Sequence, residues 1–318
     1  MTDPYRCCVL CPRECRTDRS RGETGYCGET SRIRAASACV HFGEEPPLTG
    51  KGGSGTVFFT GCTLKCGFCQ NWQASRSGMG AELSTEELSR LFLRLQHAGA
   101  ENINAVTGTQ FAPSILEALA LSRGAGLSIP MVWNSSGYET SEAIELLSRD
   151  VSFFLPDLKT LDEDFARHRL HASDYPARAT RALLAMADAK PLLREGPDGQ
   201  PSGGLIVRHL VLPGRLEDTR KVLSWFKGNL DGRALLSLMF QYTPIPGQAL
   251  FAPYNRMVSA GEHEQALALL DEIGIEDGYF QEPVTDNAWL PDFGRRKPFP
   301  SELSRVVWHY LDRAADQP

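Results

Sequence analysis

The chain has 318 residues, enough for about two domains or one large barrel, and its 42% hydrophobic and 23% charged residues suit a globule with a sizeable core. A net charge of −6 argues against a general nucleic-acid binder. No apolar run approaches a membrane span, and the opening MTDPYRCC lacks an apolar signal core, so a cytoplasmic protein is expected.

All nine cysteines (7, 8, 11, 15, 27, 39, 62, 66 and 69) fall in the first 69 residues. A disulfide scaffold would scatter pairs through the fold, whereas clustered thiols in a reducing compartment argue for metal. Residues 7–30 hold too little apolar material to form a core. Cys8, Cys11, Cys15 and Cys27 supply four thiolates there, with Cys7 able to replace Cys8, and Pro12 and Gly28 permit tight turns beside them. The pattern points to a second metal site holding zinc, iron or an auxiliary cluster; a metal-free arm is the bland alternative. Cys39, in a run of small residues, reads as a buried structural thiol.

Residues 31–50 carry a short strand pattern that Pro46 and Pro47 end. His41, Glu44 and Glu45 read as loop residues that pin the N-terminal module rather than as catalysts. Residues 51–55 form a glycine-rich loop that matches no nucleotide-binding fingerprint.

From Gly55 onward, strand and helix patterns alternate. Strands are expected at 56–60, 103–107, 129–133, 151–155, 205–212 and 234–241. Helices are expected at 84–96, opened by a Ser84/Glu87 capping box, and at 113–122, 141–147, 176–187, 217–226 and 262–273. Residues 195–204 read as a turn-rich loop. Six strands alternating with helices imply right-handed parallel crossovers and an α/β fold, simplest as a partial (β/α)6 TIM-type barrel, with a doubly wound sheet as the alternative. Domains are expected at 1–50 (a small cysteine-rich metal module), 51–282 (the barrel) and 283–318 (a tail). In the tail, an amphipathic helix from Ser301 with Leu303, Val306, Val307, Tyr310 and Leu311 is expected to pack on the barrel.

In either fold the site lies at the carboxyl ends of the strands. After the first strand come Cys62, Cys66 and Cys69, spaced C-x3-C-x2-C on one short loop. Three thiolates so close can all face one metal centre, and a cubane bound by three ligands keeps one iron open. A closed zinc knuckle with a distant fourth ligand is the alternative. Later strand ends bring Thr107, Gly108 and Thr109; Asn134 and Ser135; Asp157 and Lys159; Arg208 and His209; and Tyr242. Arg208 and His209 interrupt an apolar strand, so at least one must be satisfied in the interior.

The cysteine loop, with Phe68 before its last cysteine, resembles the radical S-adenosylmethionine (radical SAM) signature. The phrases CVLCPREC, HFGEEP, GSGTVFFTGCTLKCGFCQNW, WNSSGYE, LPDLK, GLIVRHLVLPG and SLMFQYTP resemble uncharacterised members related to pyruvate formate-lyase activating enzyme. The resemblance implies a 4Fe-4S cluster on Cys62, Cys66 and Cys69, with Phe68 near the adenine of SAM. It puts Thr107, Gly108 and Thr109 in place of the family's G-G-E motif, beside the SAM amino group. Asp157, Lys159 and Arg208 match positions around SAM and a nearby cation; Asn134 and Ser135 stand where the activating enzyme has Asp and Thr, and Tyr242 where it has a SAM-contacting His. The implied chemistry is reductive cleavage of SAM to a 5′-deoxyadenosyl radical that abstracts hydrogen, with flavodoxin or ferredoxin as electron donor. The substrate would be a glycyl radical protein or, alternatively, a small molecule, peptide or RNA. A non-catalytic iron–sulfur or zinc protein is the third reading.

Overall fold

The computed structural model describes residues 3–196, 199–246, 253–284 and 286–315. Residues 197 and 198 of the expected turn-rich loop, and 316–318 of the tail, lie outside the described residues.

In chain order the strands and helices begin with β1 (Ile33–His41), α1 (Pro46–Thr49), β2 (Ser54–Phe59), α2 (Trp72–Ser75), β3 (Ala81–Leu83) and α3 (Thr85–His97). They continue with β4 (Ile103–Val106), α4 (Ala112–Gly124), β5 (Met131–Ser135), α5 (Ser141–Ser148), β6 (Phe153–Pro156), α6 (Glu163–Phe165) and α7 (Tyr175–Ala189). Then come β7 (Gly204–Leu210), α8 (Leu216–Leu230), β8 (Leu235–Met239), α9 (Ala260–Ile273), β9 (Gly278–Phe280), β10 (Ser304–His309) and α10 (Tyr310–Ala315).

All six expected strands and all six expected helices of the repeating unit are present. The capping box forms: the Ser84 amide donates to Glu87 Oε2 at 2.7 Å and the Glu87 amide donates to Ser84 Oγ at 3.2 Å. The helix it opens buries Leu88, Leu91, Phe92 and Leu95. The sheet order is β10-β1-β2-β4-β5-β6-β7-β8-β9, with β3 added to β1. From β2 to β9 every pairing is parallel, and β1 runs antiparallel to β2, β3 and β10. A parallel run of this kind, alternating with helices and left open between β9 and β10, is a partial barrel. No helix among the described residues is long and apolar enough to cross a membrane.

Four features differ from expectation. The strand in residues 31–50 is nine residues long and pairs along β2, so the sheet runs across residue 50. Pro46 and Pro47 open the single turn α1 instead of ending structure, because the first helical turn needs no amide donor from them. Residues 304–309 form β10 against β1, not a helix; Val306, Val307 and Trp308 suit a strand, and a free sheet edge was there to take them. The helix begins only at Tyr310. A seventh parallel strand, β9, was missed because three residues carry no readable period.

The connection from β9 to β10 must cross the open side of the barrel. Phe293 and Phe299 pack there on Phe58, with ring centroids 5.3 and 5.6 Å apart. Gln73 fastens this segment, donating to Asp292 Oδ1 at 3.1 Å and accepting from the Phe293 amide at 2.7 Å.

Gly278 lets β9 lie against β8: a Cβ there would come within 2.3 Å of the Leu236 carbonyl oxygen. Gly278→Ala should therefore lower stability by about 1–3 kcal/mol. A urea midpoint unchanged from the wild type would show that β9 contributes little to the sheet.

Candidate functional site

The inner face of the sheet encloses a cavity of about 190 Å³. Cys62, Cys66 and Cys69 line it, together with Phe68, Thr107, Asn134, Ser135, Asp157, Lys159 and Arg208. Five strand ends therefore deliver most of the sequence-predicted residues to one place.

The cysteine loop turns off β2 at Gly61, whose φ of +73° and close approach to the Glu29 side chain and Cys27 carbonyl leave no room for a Cβ. Gln110 ties the loop down: its side-chain amide donates to the carbonyls of Thr60 and Thr107, both at 2.7 Å. The N-terminal module braces the other side. The Cys62 amide donates to the Cys27 carbonyl at 3.4 Å, and Arg13 Nε donates to the Thr63 carbonyl at 2.9 Å.

The three thiols suit an iron–sulfur cluster by their chemistry. None is in a disulfide. Burial, reinforced by the neighbouring Cys69, pushes the Cys62 thiol up to about 12, and burial raises Cys66 as well. Such thiols ionise only when a cation compensates them, as iron does. The Leu64 amide donates to Cys62 Sγ at 3.4 Å, and Ser75 Oγ lies 3.3 Å from Cys69 Sγ; hydrogen bonds of this type tune cluster sulfurs. Among the described residues, no three His, Cys, Asp or Glu side chains close on a single metal ion. A cubane spreads its cysteine ligands over different irons, so its sulfurs stand farther apart than those around one ion.

Facing the thiols is a buried charge network. Arg208 Nε donates to Asp157 Oδ1 at 3.1 Å, Nη1 to Glu44 Oε2 at 3.4 Å and Nη2 to Asn134 Oδ1 at 2.5 Å. Lys159 Nζ reaches Asp157 Oδ2 at 2.5 Å, and Asn104 Nδ2 donates to Glu44 Oε1 at 3.0 Å. Burial works against the charge on Asp157, but Lys159 and Arg208 outweigh it and hold the carboxyl below its ordinary value. Burial likewise opposes the charge on Lys159, and Asp157 outweighs it. His209, the neighbour of Arg208, points to the opposite face: its ring nitrogens lie 2.8 Å from the Leu158 carbonyl and 3.1 Å from Thr219 Oγ1. Arg208 is thus the inward residue and His209 a satisfied packing residue.

Thr107 lines the cavity in a left-handed conformation, with φ +58°, which is strained for a residue with a branched Cβ. Gly108 and Thr109 lie behind it. A Cβ on Gly108 would strike Ile115 and Trp133, and Thr109 Oγ1 donates to buried Glu139 Oε1 at 3.0 Å. Glu139 also accepts from Trp133 Nε1 at 3.0 Å and Ser135 Oγ at 2.9 Å. Tyr242 is fully buried and outside the cavity lining; its hydroxyl donates to the Tyr254 carbonyl at 2.6 Å.

Sequence reasoning missed several lining residues. His41, Glu44 and Glu45, read there as loop residues pinning the N-terminal module, line the cavity, as do Gln281 and Trp289. Two adjacent acids between an apolar strand and a Pro-Pro pair were the available signal.

The N-terminal cysteines gather beside this site. A Cβ on Gly25 would lie 3.3 Å from Cys15 Sγ and 3.5 Å from Cys27 Sγ. Burial, with Cys27, Cys8 and Cys15 adding to it, pushes Cys11 up to about 12. Buried Arg19 donates to Cys8 Sγ at 3.5 Å and to the carbonyls of Glu29 and Thr30.

The pattern of the radical SAM superfamily matches residues 56–220. An uncharacterized protein of Methanocaldococcus jannaschii is 28% identical over 283 residues, covering 86% of this chain and 76% of its own. A radical SAM methyltransferase from Sphaerobacter thermophilus has a similar fold, with a TM-score of 0.51, 16% identity and coverage of 71% of this chain and 65% of that chain. The structure of anSMEcpe with bound AdoMet gives a TM-score of 0.51 and 13% identity, covering 70% of this chain and 61% of that chain. The present chain thus spans under two thirds of either solved structure, and at these identities the likeness is one of fold.

Two outcomes are expected of the network. Arg208→Ala leaves buried Glu44 without a cation and Asp157 with Lys159 alone, and unfolding free energy should fall by about 3–5 kcal/mol. Arg208→Lys should restore only part, because one ammonium cannot span three acceptors; full recovery would show that the fork geometry is immaterial. Burial holds the Glu139 carboxyl above its ordinary value, so the folded state binds that proton more tightly than the unfolded chain. Its stabilising contribution is complete below the unfolded carboxyl range and is lost as pH rises through the folded pKa. Stability of Glu139→Gln should therefore decline less than wild type between about pH 4.5 and neutrality. Parallel denaturation profiles would refute this.

Proposed function

The chain belongs to the radical SAM superfamily, and on that premise we propose that it reductively cleaves S-adenosylmethionine and takes a hydrogen atom from a substrate held in the barrel cavity. The observation that carries the reading is the convergence of Cys62, Cys66 and Cys69 with Asp157, Lys159 and Arg208 on one cavity. A 4Fe-4S cluster on the three thiolates, when bound, supplies an electron and an open iron for the amino and carboxylate groups of S-adenosylmethionine.

The chain's own residues bind, orient and exclude water. Lys159 keeps positive charge beside the thiols and so favours their ionised form, and with Arg208 it favours a carboxylate nearby, as it does Asp157. The cavity's Thr107, Asn134 and Ser135 offer polar groups to a ligand, while Phe68, Phe58 and Phe299 wall it from water. Gly108, Thr109 and Tyr242 support this shell from behind, acting through Glu139, Trp133 and Tyr254. An external flavodoxin or ferredoxin would deliver the electron.

The activation of a glycyl radical protein is the narrower reading that the motif resemblance supports. A small substrate is the reading that the cavity's modest volume supports. Separately, we propose that Cys8, Cys11, Cys15 and Cys27 hold a second metal group, zinc, iron or an auxiliary cluster; a cluster suits best the four sulfurs, which do not close on a single ion, with buried Arg19 offsetting thiolate charge.

Anaerobic reconstitution with iron and sulfide, reduction and addition of S-adenosylmethionine should yield 5′-deoxyadenosine. The triple substitution Cys62→Ala, Cys66→Ala and Cys69→Ala should abolish it while leaving any N-terminal metal measurable. An intact cluster without 5′-deoxyadenosine would sink the enzyme reading. A glycyl radical signal in a partner protein would establish the activase.

A further inference from the structure

Three carboxylates, Glu44, Glu45 and Asp157, line the one cavity inside the barrel without closing on a single point. The cations facing them are Lys159 and Arg208, so three potential negative charges meet two positive ones. Lys159 is committed to Asp157, and Arg208 divides itself among Asp157, Glu44 and Asn134. Neither donates to Glu45. That residue is only 8% exposed, yet its Oε2 has no hydrogen-bond partner. Burial pushes the His41 pKa down and so disfavours a compensating charge there.

A second orphan lines the same cavity. Gln281 Nε2 donates to Gln241 Oε1 at 3.2 Å, which leaves Gln281 Oε1 without a donor. Among the described lining residues, both orphaned side-chain atoms are acceptors. A buried acceptor left unpaired is costly, and a ligand that donates removes the cost. Burial also raises the Glu44 and Glu45 carboxyls, and Arg208 offsets this only in part; an arriving cation would relieve it further.

We propose that the substrate carries an aliphatic ammonium or guanidinium group and that Glu45, backed by Glu44, is the specificity residue that binds it. The inference rests on the reading of this cavity as a substrate site. A metal ion fits less well, since no three acidic, His or Cys side chains among the described residues converge on one point. An ammonium brings three donors and needs no such cage. Phe58, Phe299 and Met239, lining the same cavity, suit an alkyl stem.

The test is calorimetry on the anaerobically reconstituted protein in amine-free buffer. The probes are n-butylammonium, n-butylguanidinium, butyramide and butyrate, in wild type and in Glu45→Gln. Wild type should prefer either cation to butyramide by about tenfold or more, and Glu45→Gln should lose that preference. Putrescine and N-acetyl-lysine methylamide then tell a free amine from one borne on a chain; tighter binding of either supports the proposal and names its source.

Equal binding of butyramide or butyrate in wild type overturns it, as does an unchanged preference in Glu45→Gln. Displacement of butylammonium by an equal concentration of potassium would assign the site to a metal cation and overturn it too. If Glu45→Gln does not fold, the wild-type preference decides alone. Formation of 5′-deoxyadenosine is measured on the same preparation: its absence with the cation preference intact would sink the enzyme reading and leave the subsite standing.

Discussion

Arg208 places a full positive charge inside a sheet whose strands are mostly apolar, and the geometry of the cavity follows from how that charge is answered. An uncompensated buried guanidinium would cost far more than a domain can spare. Asp157 at the end of β6, Asn134 in β5 and Glu44 from the turn after β1 each meet one of its nitrogens. Those partners come from three separated parts of the chain, so satisfying one side chain fixes several elements at once. The backbone agrees: Asp157 and Arg208 form an isolated parallel bridge beyond the two residue pairs that join β6 to β7. A second such arrangement surrounds Glu139, where donors from β5 and the β4 exit meet one buried carboxylate.

The two networks divide the work. Glu139 and Gln110 sit behind the strand exits and fix their backbone, including the strained Thr107. Arg208 and Lys159 face the cavity, and the Lys159 charge acts on the Cys62 and Cys66 thiols. Conformational strain at Thr107 is sustained because its neighbours on both sides are tied. Preorganisation of this kind lets a site present charge without rearranging when a ligand arrives.

Much of this was legible in the sequence where a residue's chemistry and its period agreed. The βα alternation, the Ser84/Glu87 cap and the cysteine loop after β2 each carry a local signal, and the structure realises them. Arg208 was legible because a charge in an apolar strand demands a partner. Which of Arg208 and His209 faces inward depends on strand register, which one sequence does not give. Glu44 and Glu45 were misread for a related reason: their chain position is outside the repeating unit, and only tertiary folding brings them to the cavity. Residues 304–309 misled because valines and aromatics at helical spacing also suit a strand, and the decision lay with the free edge of β1. Tyr242 was legible as a strand-end residue, but its hydroxyl is taken by a backbone carbonyl.

The architecture separates what is general in the site from what is particular to this chain. The parallel strand exits carry the cysteines and the cation pair, and that part matches the superfamily pattern over residues 56–220. The remaining wall comes from outside that span: His41, Glu44 and Glu45 precede it, and Gln281, Trp289 and Phe299 follow it. These two flanks meet across the open side of the barrel, where the Phe299 and His41 rings pack 5.0 Å apart and the Leu303 carbonyl lies 2.7 Å from His41 Nδ1. A change in either flank would reshape the cavity without touching a thiol. On the assignments proposed above, substrate choice could vary independently of cofactor binding, because Glu44 and Glu45 lie on a different segment of the chain from Cys62, Cys66 and Cys69.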